Sequence, residues 1–166
     1  MTINFFRQSG FFVVLCLVQA LVLNRIHLFG CATPLVYILM IMTMRRNYPK
    51  WGILLWSFSL GLVIDTFSNT PGVAAASLTL IGVIQPYFLE LFLQRDAADD
   101  FLPSVRTMGM GRFSFFSFIL VWVYCIVFFT LETFSFFNWS QWLLQIGGST
   151  LITWILVVTI DSVRKK

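Results

Sequence analysis

The chain has 166 residues, of which 58% are hydrophobic and 11% are charged, and its formal net charge is +4. Soluble domains carry about 25% charged residues, so these few charges cannot cover a water-facing surface, and lipid is the expected solvent. The basic residues fall in short gaps between long apolar blocks and form no basic stripe, so nucleic-acid binding is not expected.

Six apolar blocks predict an all-α polytopic membrane protein, with a single six-helix transmembrane domain over residues 1–166. The first block is followed by no small-x-small cleavage site, so it is interpreted as a membrane helix and not as a signal peptide. A cytoplasmic loop is expected over 94–112. The predicted helices cover about 9–23, 28–44, 51–67, 71–93, 113–131 and 141–160.

The distribution of positive charge predicts the orientation. Ten of the eleven basic residues lie before helix 1, between helices 2 and 3, between helices 4 and 5, or after helix 6. These four segments share one side of a six-span protein, and the opposite side holds only Arg25. Because Lys and Arg stay on the cytoplasmic side, both termini are expected in the cytoplasm.

The third predicted helix has a narrow face of small and polar residues. Ser57, Gly61, Asp65 and Ser68 fall within an arc of about 80° at 3.6 residues per turn. A carboxylate that faces lipid costs at least ~2.5 kcal/mol, so Asp65 is expected to face the bundle interior or a wet pocket.

The fourth predicted helix has a matching small face. Small residues let membrane helices approach closely, so helices 3 and 4 are expected to pack against each other or against a third helix. The small face consists of Gly72, Ala75, Ala76, Thr79 and Gly82.

Two interpretations of Asp65 stay open. An intramembrane carboxylate can bind a partner, an ion or a proton. Alternatively, Asp65, Ser68 and Asn69 satisfy free amide groups at the start of helix 4, with Thr70 as its N-cap and Pro71 in its first turn.

The remaining polar residues predict no reaction centre, metal site or cofactor. His27 is the only histidine, and it has no nucleophile pattern beside it. Asp161 precedes Arg164 and Lys165 at helical spacing, which is typical of a helix-surface ion pair. The three cysteines, in apolar stretches without metal or disulfide spacing, are interpreted as small buried residues. They are Cys16, Cys31 and Cys125.

Helices 2 to 4 carry a recognisable order of features: a proline that opens a helix, a basic turn, and a helix that ends in Gly-Leu-x-x-Asp-x-x-Ser. A glycine and a helix rich in small residues follow. These features are Pro34, Arg45 and Arg46, residues 61–68, Gly72 and residues 74–76. This stretch of about 60 residues resembles the MreD family of rod shape-determining proteins. The chain has Thr-Pro-Gly at 70–72 where Pro-Leu-Gly is typical, and Gly-Val at 82–83 where Gly-Tyr is frequent.

The resemblance implies a non-enzymatic scaffold of the cell-elongation complex in the bacterial inner membrane, which supports cell shape and lateral peptidoglycan synthesis. It implies association with MreC and, through MreC, with MreB, RodA and a class B penicillin-binding protein. It also implies a fold similar to the substrate-binding component of energy-coupling factor transporters. The residues that match the family motif are Gly61, Asp65, Ser68 and Gly72. The alternative function is the small-molecule-binding component of a membrane transporter.

Overall fold

The computed structural model describes residues 2–21, 34–93, 101–133 and 139–164, with side chains over 9–19, 34–93, 101–133 and 139–163. The predicted all-α class is confirmed for these ranges, which contain helices and no strand. Seven helices lie in them: α1 (Thr2–Leu21), α2 (Ile38–Met42), α3 (Lys50–Ser68), α4 (Val73–Phe92), α5 (Val105–Met108), α6 (Met110–Thr133) and α7 (Trp139–Arg164).

Four of these helices, α3, α4, α6 and α7, are long and apolar enough to cross a membrane. They correspond to the third to sixth predicted helices, and they are consistent with a multi-pass membrane protein. Helix α1 starts before the predicted residue 9, and the part of it whose side chains are described, Ser9–Gln19, is apolar. Six spans, and the orientation of the termini, stay predictions.

The second predicted helix, over 28–44, differs from the structure. Residues 22–33 lie outside the described part of the chain. From Pro34 to Tyr37 the chain is not helical, and α2 then covers five residues, Ile38–Met42. Hydropathy alone does not separate a buried helix from a buried irregular segment, so the sequence predicts one continuous helix here.

The irregular backbone before α2 receives its hydrogen bonds from two other helices. In α1, the side chain of Gln19 makes two of these bonds. Its Nε2 donates to the Pro34 carbonyl at 2.9 Å, and its Oε1 accepts from the Val36 backbone amide at 3.3 Å. In α7, the Thr153 hydroxyl accepts from the Leu35 amide at 3.0 Å. Non-helical backbone is tolerated at membrane depth only where the protein supplies such partners.

Helix α2 lies at the centre of the bundle. All its residues are buried, and it contacts α1, α3, α4 and α6. Just before it, the buried hydroxyl of Tyr37 hydrogen-bonds the buried hydroxyl of Tyr124 in α6. The core is therefore built around the chain segment 34–44 and not only between the long helices.

The long helices pack as neighbours in the order α1, α3, α4, α6, α7. Phe12 of α1 meets Trp56 of α3 with ring centroids 5.4 Å apart, and the Trp154 indole of α7 donates to the Ser114 carbonyl of α6 at 2.9 Å. Large apolar side chains point outward from every long helix, which is the surface expected of helices in lipid. They include Val14, Leu55, Leu62, Leu80, Val83, Phe115, Trp122, Leu144 and Leu151.

Three chain segments meet at one end of the bundle. The Arg46 amide, in the turn before α3, donates to the Phe101 carbonyl at 3.0 Å, and the Val105 amide donates to Asp161 Oδ2 in α7 at 2.8 Å. These are three of the four segments that the charge pattern assigned to the cytoplasmic side. Within the predicted loop 94–112, the described residues form the short helix α5 and the first turn of α6.

Candidate functional site

The candidate site is the junction of α3 and α4, where two of the motif residues bring the helices together. Gly61 lies directly against the backbone that begins α4. A Cβ atom placed on Gly61 would lie 2.6 Å from the Ala75 nitrogen and 2.9 Å from the Ala74 carbonyl carbon. Only a residue without a side chain permits this approach, because backbone atoms cannot move aside as a flexible side chain can.

One helical turn later, Asp65 binds the start of α4. Its Oδ1 accepts from the Ala74 amide at 2.8 Å, and its Oδ2 accepts from the Ala75 amide at 2.9 Å. The Thr70 hydroxyl donates to Oδ1 at 3.0 Å, and only 5% of Asp65 is exposed. The carboxylate thus satisfies two amides that an α-helix leaves without intrahelical partners, and it places negative charge at the positive end of α4.

This arrangement agrees with the second of the two interpretations for Asp65 itself, but it differs for the residues after it: Asn69 ends α3, and Pro71 lies before the first turn of α4. Thr70 is not the N-cap of α4, because the helix begins at Val73 and its N-cap is Gly72. Thr70 contributes instead through its hydroxyl, as a donor to the carboxylate. Binding of a partner, an ion or a proton by Asp65 stays a prediction.

The turn from α3 to α4 needs two residues with positive φ. Asn69 has a φ of 56° and its amide donates to the Asp65 carbonyl, which ends α3. Gly72 has a φ of 83°, a conformation that glycine adopts without the steric strain of a Cβ atom. The backbone carbonyl of Asp65 therefore accepts the hydrogen bond at the end of α3, while its side-chain carboxylate accepts hydrogen bonds at the start of α4.

The small faces of α3 and α4 meet further along the hairpin. A Cβ atom on Gly82 would lie 2.6 Å from the Ser57 hydroxyl oxygen, which itself donates to the Ile53 carbonyl at 2.7 Å. Ser57, Ala75 and Gly82 are buried, as expected for a packing face. Thr79 is half-buried and donates to the Ala75 carbonyl at 2.7 Å.

Three residues of the predicted site are not buried between α3 and α4. Ala76 is exposed, so it does not belong to the face that packs against α3, and Ala74 takes its place. Gly72 is exposed as well, and its role is the backbone conformation of the turn. Ser68 is half-buried at the end of α3, in the turn before Asn69.

Sequence reasoning missed a second buried carboxylate, Asp161. It was interpreted as one partner of a helix-surface ion pair, but only 1% of it is exposed. Its Oδ2 accepts from the Val105 amide at 2.8 Å, while its Oδ1 has no hydrogen-bond partner among the described residues. Val157, one turn earlier in α7, is also fully buried, so this face of α7 points into the bundle.

The predictions for the cysteines and the histidine are tested only in part. Cys16 and Cys125 are buried free thiols, as predicted, whereas Cys31 and His27 lie outside the described residues. Within the part of the chain that the structure describes, no three His, Cys, Asp or Glu side chains converge as a metal site would require.

Comparison of the chain with family models, with curated proteins and with solved structures gives no match. The geometry of the α3–α4 junction and the sequence pattern therefore carry the functional argument.

Proposed function

We propose that this chain is a non-enzymatic membrane scaffold of the MreD type, and that it supports cell shape and lateral peptidoglycan synthesis by holding an MreC-like protein. In this proposal it crosses the bacterial inner membrane six times, with both termini in the cytoplasm. Through the MreC-like protein it is linked to MreB, RodA and a class B penicillin-binding protein.

The observation that carries the proposal is the role of the motif residues. Gly61 and Asp65 join α3 to α4 through a backbone contact and three hydrogen bonds to the carboxylate. Buried carboxylates need such partners, and a carboxylate that its own chain already satisfies is typical of a structural element. A motif that joins two membrane helices through their own backbone favours a scaffold over a reaction centre.

The proposed topology has independent support at the basic end of the bundle. The turn that carries Arg46 contacts Phe101, and Val105 contacts the last turns of α7 at Asp161. The fold thus joins three basic segments that the positive-inside rule assigns to one compartment.

The proposal predicts that the chain co-purifies in mild detergent with the MreC-like protein of the same organism. Helix packing and interhelical hydrogen bonds hold membrane complexes together without hydrophobic burial from water, so a specific pair survives extraction. The measurement is the ratio of the two proteins after affinity capture and size-exclusion chromatography. An established MreD–MreC pair is the positive control, and an unrelated single-span protein is the negative control. Loss of the native pair while the positive control persists would count against the scaffold function.

A second candidate function, the small-molecule-binding component of a transporter, is favoured by two buried polar atoms. Gln85 Nε2 in α4 and Ser117 Oγ in α6 have no hydrogen-bond partner among the described residues. Buried polar atoms of this kind need a partner, which a bound solute or water can provide. This function predicts a rise in melting temperature with one member of a metabolite panel, and the loss of that rise in the variant Gln85→Leu.

A further inference from the structure

A cluster of basic and aromatic side chains surrounds the start of α3. The Lys50 ammonium lies over the Tyr87 ring of α4, 4.8 Å from its centroid. Trp51 is 71% exposed and Tyr87 is 56% exposed, and Arg46 is exposed in the turn just before α3. We call these four residues, Arg46, Lys50, Trp51 and Tyr87, the Lys50 corner.

The Lys50 corner itself carries only positive charge, and the nearest acidic residue on α4 is the exposed Glu90, one turn after Tyr87. The turn 45–50 holds three basic residues and no acidic residue. The ring of Tyr87 holds the Lys50 ammonium through its negative face but does not neutralise it. Trp and Tyr prefer the headgroup level of a bilayer, where one end of the side chain is apolar and the other is wet. The corner therefore combines positive charge with the side chains that mark the membrane surface.

An apolar strip continues from the corner toward the middle of the helices. Leu55 lies one turn after Trp51 on α3 and is 59% exposed, and Val83 lies one turn before Tyr87 on α4 and is 47% exposed. A free phosphate ion would use only the charged end of this surface. A phospholipid would use both ends, with its headgroup at the charges and its acyl chains along the strip.

We propose that the Lys50 corner is a binding site for an anionic phospholipid of the phosphatidylglycerol type. Lys50 binds the headgroup phosphate, Trp51 and Tyr87 flank the glycerol, and the acyl chains lie along Leu55 and Val83. Basic clusters next to membrane helices bind anionic headgroups in this way. The inference requires only that α3 and α4 cross a membrane, so it stands or fails independently of the scaffold function.

The test titrates phosphatidylglycerol into nanodiscs of phosphatidylcholine that hold the full chain, and counts retained lipid by native mass spectrometry. The expected result is retention of phosphatidylglycerol over phosphatidylcholine. The apparent affinity should fall about five-fold in Lys50→Gln, since one basic residue near a membrane surface contributes about 1 kcal/mol. It should recover in Lys50→Arg, which keeps the charge.

Arg112→Gln is the matched control, because Arg112 is an exposed basic residue at the start of α6, on the same predicted side. It should leave lipid retention unchanged. The proposal is overturned if Arg112→Gln and Lys50→Gln weaken retention equally, since the effect would then be general surface charge. It is also overturned if inorganic phosphate at millimolar concentration displaces the lipid, since the site would then bind a free anion.

Discussion

Asp65→Asn is expected to lower the free energy of unfolding in detergent by about 1.5–3 kcal/mol, which is the range for one lost hydrogen bond to a charged group. Both carboxylate oxygens are in use, one for the Ala74 amide and one for the Ala75 amide. Asparagine offers one oxygen and one NH₂ group, so one of these amides would face a second donor. The change also removes the negative charge at the start of α4. The measurement is the unfolding midpoint in a denaturing detergent titration.

Glu90→Gln is the control for Asp65→Asn, because it makes the same chemical change at an exposed position of α4. It should change the free energy of unfolding by less than about 0.5 kcal/mol. Equal losses in the two variants would contradict the capping role. A normally stable Asp65→Asn protein that no longer retains its MreC-like partner would instead assign the carboxylate to partner binding.

Much of the fold could be predicted because it depends on local properties of the chain. Helices α3, α4, α6 and α7 follow from apolar length alone, since each span needs about 20 apolar residues. The α3–α4 junction was predictable in part because Gly61 and Asp65 lie one turn apart on an otherwise apolar helix. A glycine lets two membrane helices approach closely, and a carboxylate at membrane depth needs polar partners inside the protein or a wet cavity.

The central segment 34–44 could not be predicted in the same way. Its residues are as apolar as those of a membrane helix, so hydropathy gives no indication that the chain is irregular at Pro34–Tyr37. The irregular backbone is possible because Gln19 and Thr153 supply its hydrogen bonds. These partners lie far along the chain, and Thr153 is 118 residues from Leu35. A pattern read along one helix cannot reveal a partner on another.

The detail of the capping was also beyond the sequence. Thr-Pro at 70–71 is a good N-cap pair by residue type, yet α4 begins after Gly72. The carboxylate of Asp65 reaches across the turn to the amides of residues 74 and 75, so a hydroxyl cap at Thr70 is not needed. Asp65 can reach the α4 amides only if α3 and α4 lie close together. That distance depends on Gly61, so Gly61 decides whether Asp65 or Thr70 caps the helix.

Gly61→Ala is expected to destabilise the protein by about 1–3 kcal/mol, the usual range for atoms forced into a packed interface. The added methyl group would meet the backbone of Ala74 and Ala75 and push the start of α4 away. Gly147→Ala in α7 is the matched control, because a Cβ atom there meets nothing within 4 Å. Alanine is the better helix former by about 1 kcal/mol, so the control should be neutral or stabilising. The measurement is the same detergent titration.

The double variant tests how Gly61 acts. If the glycine matters because it brings the α4 amides within reach of Asp65, the Gly61→Ala change already loosens those hydrogen bonds. Asp65→Asn should then lower the free energy of unfolding by less in the Gly61→Ala background than in the native chain. The difference between the two losses is expected to be about 0.5–3 kcal/mol, the usual interaction energy of residues that share partners. Additive losses would show that the close approach and the carboxylate stabilise the hairpin separately, and the motif would then be two independent contacts.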